Sequence, residues 1–446
     1  MTGRSYVTGV RYVGGIAGSD LLNVASDENT EEVILPTEDY KELSNAAQVS
    51  GGYCVGGIVG ASGVGSEPGG GKTTPDKAGF IDCSNTGRIL AAVKAGANEK
   101  AVYKYLGGIV GYKKGGAITG CTSVMGKETL ADLEHYGLVN LYPDGIQDVE
   151  GDSTFIGDYI GGIAGYCEDE CQVSKCETTG GIIRGNRYIG GIIGGWTSEG
   201  AQESILDGDG NSSAAVVIGK QYVGGIVGFN AAIDKDGKPL ETAQKNLIIQ
   251  NWENKGIAYA FSEYAGGIAG YNTGSLLNCY STLEIPSTKW ETILNNIKKW
   301  NEEDGLGGNY TGGIAGYNNG IIKAEDQKKV SVIVLGNNYT GGLVGYNDID
   351  AQMGLLSNYV LEGGLIEGNC FVGGLIGCNT SADIYAFTPE SSEAGVMTAS
   401  PNLVKGNWFT GGCVGGNLIA AEKTVYLQCQ VSNQFGRISA LDSTCL

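Results

Sequence analysis

The cysteines are the side chains of this sequence whose type and spacing first suggest chemistry. Five of the 12 recur at one place of a repeated pattern, three residues after an apolar or aromatic residue. In other copies that place holds Trp252 or Tyr359, and a position that accepts Cys, Trp or Tyr is typical of a core. We therefore predict inward-facing, unpaired thiols, with disulfides as the alternative. The predicted core cysteines are Cys83, Cys121, Cys176, Cys279 and Cys429.

A denser group of cysteines invites comparison with a metal site. Cys167 and Cys171 flank three acidic residues, and Cys176 follows closely. This spacing lacks the paired Cys-x-x-Cys ligands and the fourth ligand of a structural zinc site. We therefore expect a small disulfide between Cys167 and Cys171 instead of a bound metal.

Two aspartate-rich turns resemble the beginning of a calcium-binding loop. Such a loop ends in a bidentate glutamate at its twelfth position, yet that position holds Ile218 in one turn and Lys245 in the other. Asp-Gly turns between strands explain both segments, so they are only weak calcium candidates. Their carboxylates belong to Asp207, Asp209, Asp234 and Asp236.

Two further chemistries, nucleotide binding and histidine catalysis, find little support. Residues 66–73 miss a phosphate-binding loop because Ser66 replaces its first glycine, and Pro75 follows where the motif requires a helix. We interpret this segment as a glycine-rich surface insertion. The single histidine, His135, has no second histidine to pair with, so we expect it on the surface of an inserted helix.

Paired carboxylates remain the strongest route to catalysis, because many parallel β-helix proteins process polysaccharides with carboxylates that project from neighbouring coils. The strand-like segments of this chain carry almost no Asp or Glu. Acidic residues concentrate instead in segments such as 27–42 and 302–304, as is typical of solvated loops. We therefore predict no catalytic residue, no cofactor and no enzyme activity.

Composition excludes several classes of function. Glycine contributes 77 of 446 residues and proline only 8, which excludes collagen. The net charge of −20 argues against binding to nucleic acid or to anionic lipid. The sequence has no apolar run of the roughly 18 residues that span a membrane. Its first residues lack the apolar core of a signal peptide and look like the middle of a repeat, so we expect a segment of a longer polypeptide.

One motif organises the chain. Its pattern is Gly-Gly-apolar-apolar-Gly, and an aromatic residue usually stands two places before the glycine pair. The shortest interval between copies, from Gly161 to Gly190, is 29 residues, which suffices for one solenoid turn of three short strands. The copies begin at Gly14, Gly56, Gly107, Gly161, Gly190, Gly224, Gly266, Gly312, Gly341, Gly373 and Gly411.

This repeat predicts an all-β fold, a right-handed parallel β-solenoid of about eleven coils in a single domain over residues 1–446. At a strand spacing of about 4.8 Å the rod is roughly 50 Å long. The variable intervals predict loop and short helical insertions at the corners of the coils. These insertions are expected at about 20–50, 61–80, 127–155, 196–213, 231–246, 286–305 and 380–402.

The glycine pair indicates either a backbone bend or a strand covered closely on both faces, because glycine lacks the Cβ that would obstruct either arrangement. Apolar residues flank the pair on both sides, and the sequence leaves the two alternatives open. The structural glycines of the clearest copies are Gly14, Gly15, Gly107, Gly108, Gly161, Gly162, Gly224, Gly225, Gly266, Gly267, Gly312, Gly313, Gly341 and Gly342.

An amphipathic helix is predicted within one insertion. A Thr-x-x-Glu capping box at residues 288–291 precedes an apolar stripe that starts at Trp290 and ends before Gly305. Weaker helices are predicted near residues 127–136 and 37–47. An isolated helix of this length is marginal in water, so we expect the first helix to dock on the solenoid, with a partner protein as the alternative.

The Tyr-x-Gly-Gly-apolar-x-Gly-Tyr-Asn units at residues 264–272, 310–318 and 339–347 resemble the GLUG motif repeats of bacterial surface proteins. The resemblance covers nearly the whole chain. GLUG repeats occur in large adhesin-like proteins and in the non-catalytic part of some IgA-specific metallopeptidases. The resemblance therefore implies an exported, extracellular protein at the cell surface, and it carries over no shared catalytic residue.

The expected function is that of a structural and binding segment, of adhesin or stalk type, in a bacterial cell-surface protein. Its expected partners are a host or microbial surface protein or glycan and the rest of a larger polypeptide, without nucleic acid or direct membrane insertion. One alternative is a carbohydrate-active β-helix enzyme, which an acidic groove lined by stacked Tyr or Trp rings would favour. Another is an accessory region of a surface peptidase whose His-Glu-x-x-His motif lies outside this chain.

Overall fold

The computed structural model shows a chain built mainly of short parallel β-strands. The residues that it describes are 5–19, 39–63, 78–91, 103–124, 157–198, 203–231, 246–283, 288, 290–298, 306–348, 351–354, 358–381, 397–401, 403–418, 429–431 and 437–440.

Each copy of the glycine motif contributes one strand to each of two long parallel sheets. The strands that end at the first glycine of the pair belong to the first motif sheet, which has 12 strands. They are Arg11–Gly14, Tyr53–Gly56, Lys104–Gly107, Asp158–Gly161, Arg187–Gly190, Val216–Gly224, Ile257–Gly266, Asn309–Gly312, Asn338–Gly341, Cys370–Gly373 and Trp408–Gly411, with Ile182–Arg184 paired to Val216–Gly224.

The strands that follow the glycine pair form the second motif sheet, which has 11 strands. They are Ala17–Ser19, Val59–Ser62, Val110–Lys114, Ala164–Glu168, Ile193–Thr197, Val227–Asn230, Ala269–Asn272, Ala315–Asn318, Val344–Asn347, Ile376–Asn379 and Val414–Asn417.

Four smaller parallel sheets complete the walls of the solenoid. The nine-stranded sheet contains Tyr40–Lys41, Phe80–Ile81, Ala117–Thr119, Gln172–Ser174, Ser204–Asp207, Leu247–Gln250, Ser275–Leu277, Ile321–Lys323 and Gln352–Gly354. The seven-stranded sheet contains Ser44–Asn45, Ser84–Asn85, Thr122–Val124, Glu177–Thr179, Ser212–Ser213, Glu253–Asn254 and Tyr280–Ser281. The three-stranded sheet contains Tyr6–Thr8, Gln48–Gly51 and Ile89–Ala91. The six-stranded sheet contains Lys328–Leu335, Tyr359–Glu367, Met397–Ser400, Leu403–Gly406, Cys429–Val431 and Arg437–Ala440.

Equivalent motif positions face one another in neighbouring coils. Gly312 pairs with Gly341 in the first motif sheet, and Asn318 pairs with Asn347 in the second. Stacking in this register buries the inward side chains of each coil against those of the next. The predicted all-β parallel solenoid of about eleven coils is therefore confirmed.

The glycine pair is a corner between the two motif sheets, so the bend is the correct alternative. Gly312 ends one strand and Ala315 begins the next. A Cβ on Gly312 would lie 2.2 Å from the Ala315 carbonyl oxygen, and a Cβ on Gly313 would lie 2.2 Å from the Gly342 carbonyl oxygen. Only glycine fits where backbone atoms approach this closely.

The largest described helix, α1, spans Trp290–Lys298 and lies against the solenoid. Leu294 and Ile297 are buried beside Ile257 and Leu335, so the helix docks as predicted. The predicted end at Gly305 lies outside the described residues. None of the helices among the described residues is both long and apolar enough to cross a membrane.

Some predicted insertions are partly strands of the coils. Residues 40–41 and 44–45 belong to two of the sheets, so the weak helix predicted at 37–47 is wrong. Glu42 has a φ of 54°, which turns the chain between these two strands. Ser204–Asp207 likewise lies within the segment predicted as an insertion at 196–213. The helix predicted at 127–136, with His135, lies outside the described residues.

Candidate functional site: two columns of aromatic rings

The residue two places before each glycine pair, which is aromatic in every copy except that of Cys54, adopts a left-handed backbone conformation. In all eleven coils φ at this position lies between 48° and 63°. This conformation costs a non-glycine residue roughly 1–2 kcal/mol. The residues are Tyr12, Cys54, Tyr105, Tyr159, Tyr188, Tyr222, Tyr264, Tyr310, Tyr339, Phe371 and Phe409.

The left-handed residues from Tyr105 to Phe409 form an unbroken stack, here called the first ring column. Ring centroids of successive members are 4.4 to 5.3 Å apart, closest between Tyr159 and Tyr188. Each aromatic contact adds about 0.5–1.5 kcal/mol beyond the burial of area. Stacking on two neighbours therefore offsets the backbone strain at each position.

A second ring column comes from the second motif sheet and meets the first column edge to face. Tyr339 and Tyr346, for example, have centroids 5.2 Å apart and ring planes at 82°. Gly195 interrupts the column, because a Cβ there would lie 2.6 Å from the Tyr159 ring. The members of the second ring column are Tyr112, Tyr166, Phe229, Tyr271, Tyr317 and Tyr346.

Three phenols of the second ring column have defined hydrogen-bond partners. Tyr112 donates to Glu168 Oε2, and Tyr317 donates to Asp348 Oδ2. The Tyr166 hydroxyl lies 2.5 Å from Thr197 Oγ1. Burial, together with the adjacent carboxylate, holds the pKa of Tyr112 well above its usual value, so its phenol is protonated at neutral pH.

The first ring column is partly accessible, but the faces of the rings inside it are not. Tyr222, Tyr264 and Tyr310 are half-buried, and each stacks on both of its neighbours. Burial raises the pKa of Tyr222 to about 12, so this phenol is also neutral. A sugar ring cannot stack on faces that are already occupied. The interior rings of the first column therefore expose edges and hydroxyl groups, not faces.

Charged side chains flank the first ring column along one edge. Arg187 Nη2 lies 2.7 Å from Asp158 Oδ2, and its guanidinium lies 5.7 Å from the Tyr188 centroid. The Lys104 ammonium lies 5.1 Å from the Tyr105 centroid. Such cation–π contacts contribute about 0.5–1 kcal/mol at exposed sites. These charges support the columns and supply polar contacts beside them.

A buried ladder of asparagine amides runs beside the second ring column. Each Nδ2 donates to Oδ1 of the next member over 2.8–3.0 Å, which satisfies amides that would be costly to bury unpaired. Sequence reasoning missed this ladder, although an Asn after the closing residue of each later motif was the available signal. Its members are Asn230, Asn272, Asn318, Asn347, Asn379 and Asn417.

Four of the predicted core cysteines, Cys83, Cys121, Cys176 and Cys279, are fully buried with free thiols. Hydrogen bonding to Cys176 is the main cause that holds the pKa of Cys121 above its usual value. Cys429 begins a strand, but its side chain lies outside the described part of the structure.

The expected disulfide between Cys167 and Cys171 is wrong, because both thiols are free and buried. Cys171 Sγ donates to the carbonyl oxygens of Gly115 and Glu168, both 3.5 Å away, so the thiol is satisfied as a donor. Cys413, the one residue at the third position of the glycine motif that is neither Ile nor Leu, is disulfide-bonded. Among the described residues no group of three or more Cys, His, Asp or Glu side chains could hold a metal ion.

In the first candidate calcium turn, the carboxylates of Asp207 and Asp209 interact with other side chains of the protein. Asp207 accepts hydrogen bonds from Asn251 Nδ2 at 3.0 Å and Gln250 Nε2 at 2.8 Å, and Asp209 pairs with Lys175 at 3.3 Å. Burial of Asp207 opposes its ionisation, but these hydrogen bonds hold its pKa below the usual value. The second turn, at residues 234–236, and the near-phosphate loop at 66–73 lie outside the described residues.

Each part of the repeat thus has a physical role: glycine at the corner, an aromatic ring in the column, and serine, threonine, cysteine or asparagine inside the walls. The structure brings these positions together along the whole rod. Comparison of the chain with known protein families, with curated proteins and with solved structures found no match.

Proposed function

We propose that this chain is a rigid, GLUG-like repeat segment, of adhesin or stalk type, in a bacterial cell-surface protein. It holds other domains away from the cell and has no catalytic activity of its own. The observation that supports this most directly is the continuous parallel register of the two motif sheets over eleven coils. Coils that each bury their neighbour make a rod of roughly 50 Å at about 4.8 Å per coil.

The interactions of the two buried glutamates, Glu168 and Glu367, favour a structural role. Glu168 accepts the Tyr112 hydroxyl hydrogen and pairs with Lys114, and Glu367 pairs with Lys298 and Lys405. Catalytic carboxylates need access to substrate and to water. These two carboxylates are occupied in holding strands, rings and helix α1 together.

The proposed location is extracellular, on the grounds of the resemblance to GLUG repeats. The proposed partner is a host or microbial surface protein or glycan, which contacts the hydroxyl-bearing edges of the first ring column. The acidic chain, with a net charge of −20, supports a neutral or basic partner over nucleic acid or an anionic lipid surface.

One assay tests both binding to surface ligands and hydrolysis of polysaccharide. The purified chain is applied to immobilised polysaccharides and extracellular matrix proteins, and bound protein and released reducing ends are both measured. Small-angle X-ray scattering of the same sample measures its shape. We expect an elongated particle that releases no reducing ends, whether it is retained on a surface or acts only as a stalk.

Two matched double variants test which surface of the chain is responsible for its retention on an immobilised ligand. Tyr222→Lys with Tyr310→Lys places charge on the ring column, whereas Ile248→Lys with Ile321→Lys places the same charge on the half-buried outer positions of the nine-stranded sheet. Loss of retention only in the first variant supports binding at the ring column. Release of reducing ends by the parent chain contradicts the proposal and favours the carbohydrate-active enzyme.

A further inference from the structure

A phenol–carboxylate pair lies inside the ring columns. The Tyr112 hydroxyl donates to Glu168 Oε2, and the two residues are 1% and 9% exposed. Tyr317 and Asp348 form a second pair of the same kind, five coils further along. A carboxylate that accepts a phenol hydrogen bond is a base already in place for the phenolic proton.

The buried pair is connected to the surface through rings in contact. Tyr112 lies 5.2 Å from Tyr105, which stacks on Tyr159 at 5.2 Å. Tyr159 stacks on Tyr188 at 4.4 Å, and the column continues through the half-buried phenols of Tyr222, Tyr264 and Tyr310, which an oxidant in solution can approach. No step between these rings requires an electron to cross more than one van der Waals contact.

The hydrogen-bond partner of each phenol determines which oxidised tyrosine is stabilised. A phenol that loses one electron becomes a strong acid, and a positive charge is costly in a site of low dielectric. At Tyr112 the proton can pass to Glu168. At Tyr166, which stacks on Tyr112 at 5.5 Å, the partner is the Thr197 hydroxyl, which is not a base.

We propose that the ring columns relay one-electron oxidation from the surface to Tyr112, and that this gives the rod a second activity as a sink for one-electron oxidants. An oxidant such as a peroxidase intermediate or a metal complex gains one electron from an accessible ring. Electron transfer between neighbouring rings then moves the electron hole to Tyr112. The O–H bond of Tyr112 breaks, a bond from that proton to Glu168 Oε2 forms, and a neutral phenoxyl radical and a neutral carboxyl group remain.

The test uses the full chain with a photogenerated ruthenium(III) polypyridyl complex as the oxidant and electron paramagnetic resonance as the readout. We expect a long-lived tyrosyl signal that decreases in Tyr112→Phe and in Glu168→Gln. It should be lost when Tyr317→Phe is added to Tyr112→Phe. Tyr166→Phe is the matched control, because it keeps the ring and the stack and should keep the signal.

Circular dichroism melting establishes that each variant is folded. Tyr112→Phe removes only a hydroxyl group, so it remains informative if Glu168→Gln does not fold. Absence of a long-lived signal in the parent chain would overturn the proposal. So would an unchanged signal in Tyr112→Phe, or an equal loss in Tyr166→Phe.

Discussion

Lys298 Nζ lies 2.5 Å from Glu367 Oε2, so the last turn of helix α1 is tied to a strand of the six-stranded sheet. Lys405 Nζ approaches the other carboxylate oxygen at 2.8 Å. The Glu367 side chain is 8% exposed and carries two cations from different elements. One carboxylate therefore couples the inserted helix to two neighbouring coils.

Acid should weaken this attachment. Burial opposes ionisation of Glu367, but hydrogen bonds from Lys298 and Lys405 hold its pKa below the usual value. The stabilisation is therefore complete above the unfolded-state pKa of about 4.3 and is lost as the pH falls through the lower folded-state pKa. We expect the urea midpoint of the parent chain to fall in that range. Glu367→Gln should lower the unfolding free energy at neutral pH by about 1–3 kcal/mol and reduce its dependence on acid.

Helix α1 should contribute to stability through its buried face. Leu294 is 4% exposed and packs in the cluster with Ile257 and Leu335. Leu294→Ala should cost about 2–5 kcal/mol if the site cannot collapse, and less if the helix detaches first. Asn295→Ala on the exposed face is the control. Equal melting temperatures for both variants would favour a partner-binding role for the helix.

The left-handed tyrosines should respond to alanine and glycine differently. Tyr264 has a φ of 62° and stacks on Tyr222 and Tyr310. Both Tyr264→Ala and Tyr264→Gly lose these contacts, but only glycine also relieves the backbone strain. We expect the glycine variant to be more stable than the alanine variant by about 1 kcal/mol in chemical denaturation. The opposite order would mean that the strain at this position is negligible.

The corner glycines should not tolerate a side chain. Gly313→Val introduces a Cβ that would lie 2.2 Å from the carbonyl oxygen of Gly342. Since backbone of the neighbouring coil must move, we expect a loss of about 1–3 kcal/mol or more in chemical denaturation. Gly71→Val, in the predicted glycine-rich insertion, is the comparison and should cost almost nothing. Equal losses would show that the insertion at 61–80 has been misinterpreted.

The core thiols should be free in the purified protein. Cys83, Cys121 and Cys176 stack in three consecutive coils, each fully buried. Thiol labelling after unfolding without reductant, followed by mass spectrometry, should modify all three together with Cys167 and Cys171. Labelling of the folded chain, where these thiols are inaccessible, provides the control. A disulfide that joins any two of the five would contradict this prediction.

The fold could be predicted because repetition reports long-range contacts directly. The recurrence of Gly312-Gly313 and its equivalents indicated stacked coils, and Cys83 and Cys121 indicated an inward column. The bend at the glycine pair could not be distinguished from a covered strand, because both arrangements place apolar residues on either side. The left-handed φ of Tyr264 was also hidden, since tyrosine is not a residue that normally adopts it.

The candidate site was less accessible to sequence reasoning than the fold. A tyrosine that closes the motif predicts a repeated ring but not which residue accepts a hydrogen bond from its hydroxyl group. Glu168 reaches Tyr112 from 56 residues further along the chain, across the register of adjacent coils. Cys167 and Cys171 suggested a disulfide because they are close in sequence. In the structure Cys171 Sγ instead points toward the carbonyl oxygens of Lys113 and Gly115 in the preceding coil and donates hydrogen bonds to them.

The asparagine ladder gives the rod a net dipole along its axis. Its amide dipoles point the same way from Asn230 to Asn417, and the series begins where Trp196 occupies the preceding coil. At that junction the buried Asn230 Oδ1 and Trp196 Nε1 both lack a hydrogen-bond partner among the residues that the structure describes. The negative pole of the ladder is thus buried and uncompensated at this point. Separating the coils at this junction therefore breaks no hydrogen bond of the ladder, whereas separating any two later coils of the ladder breaks one.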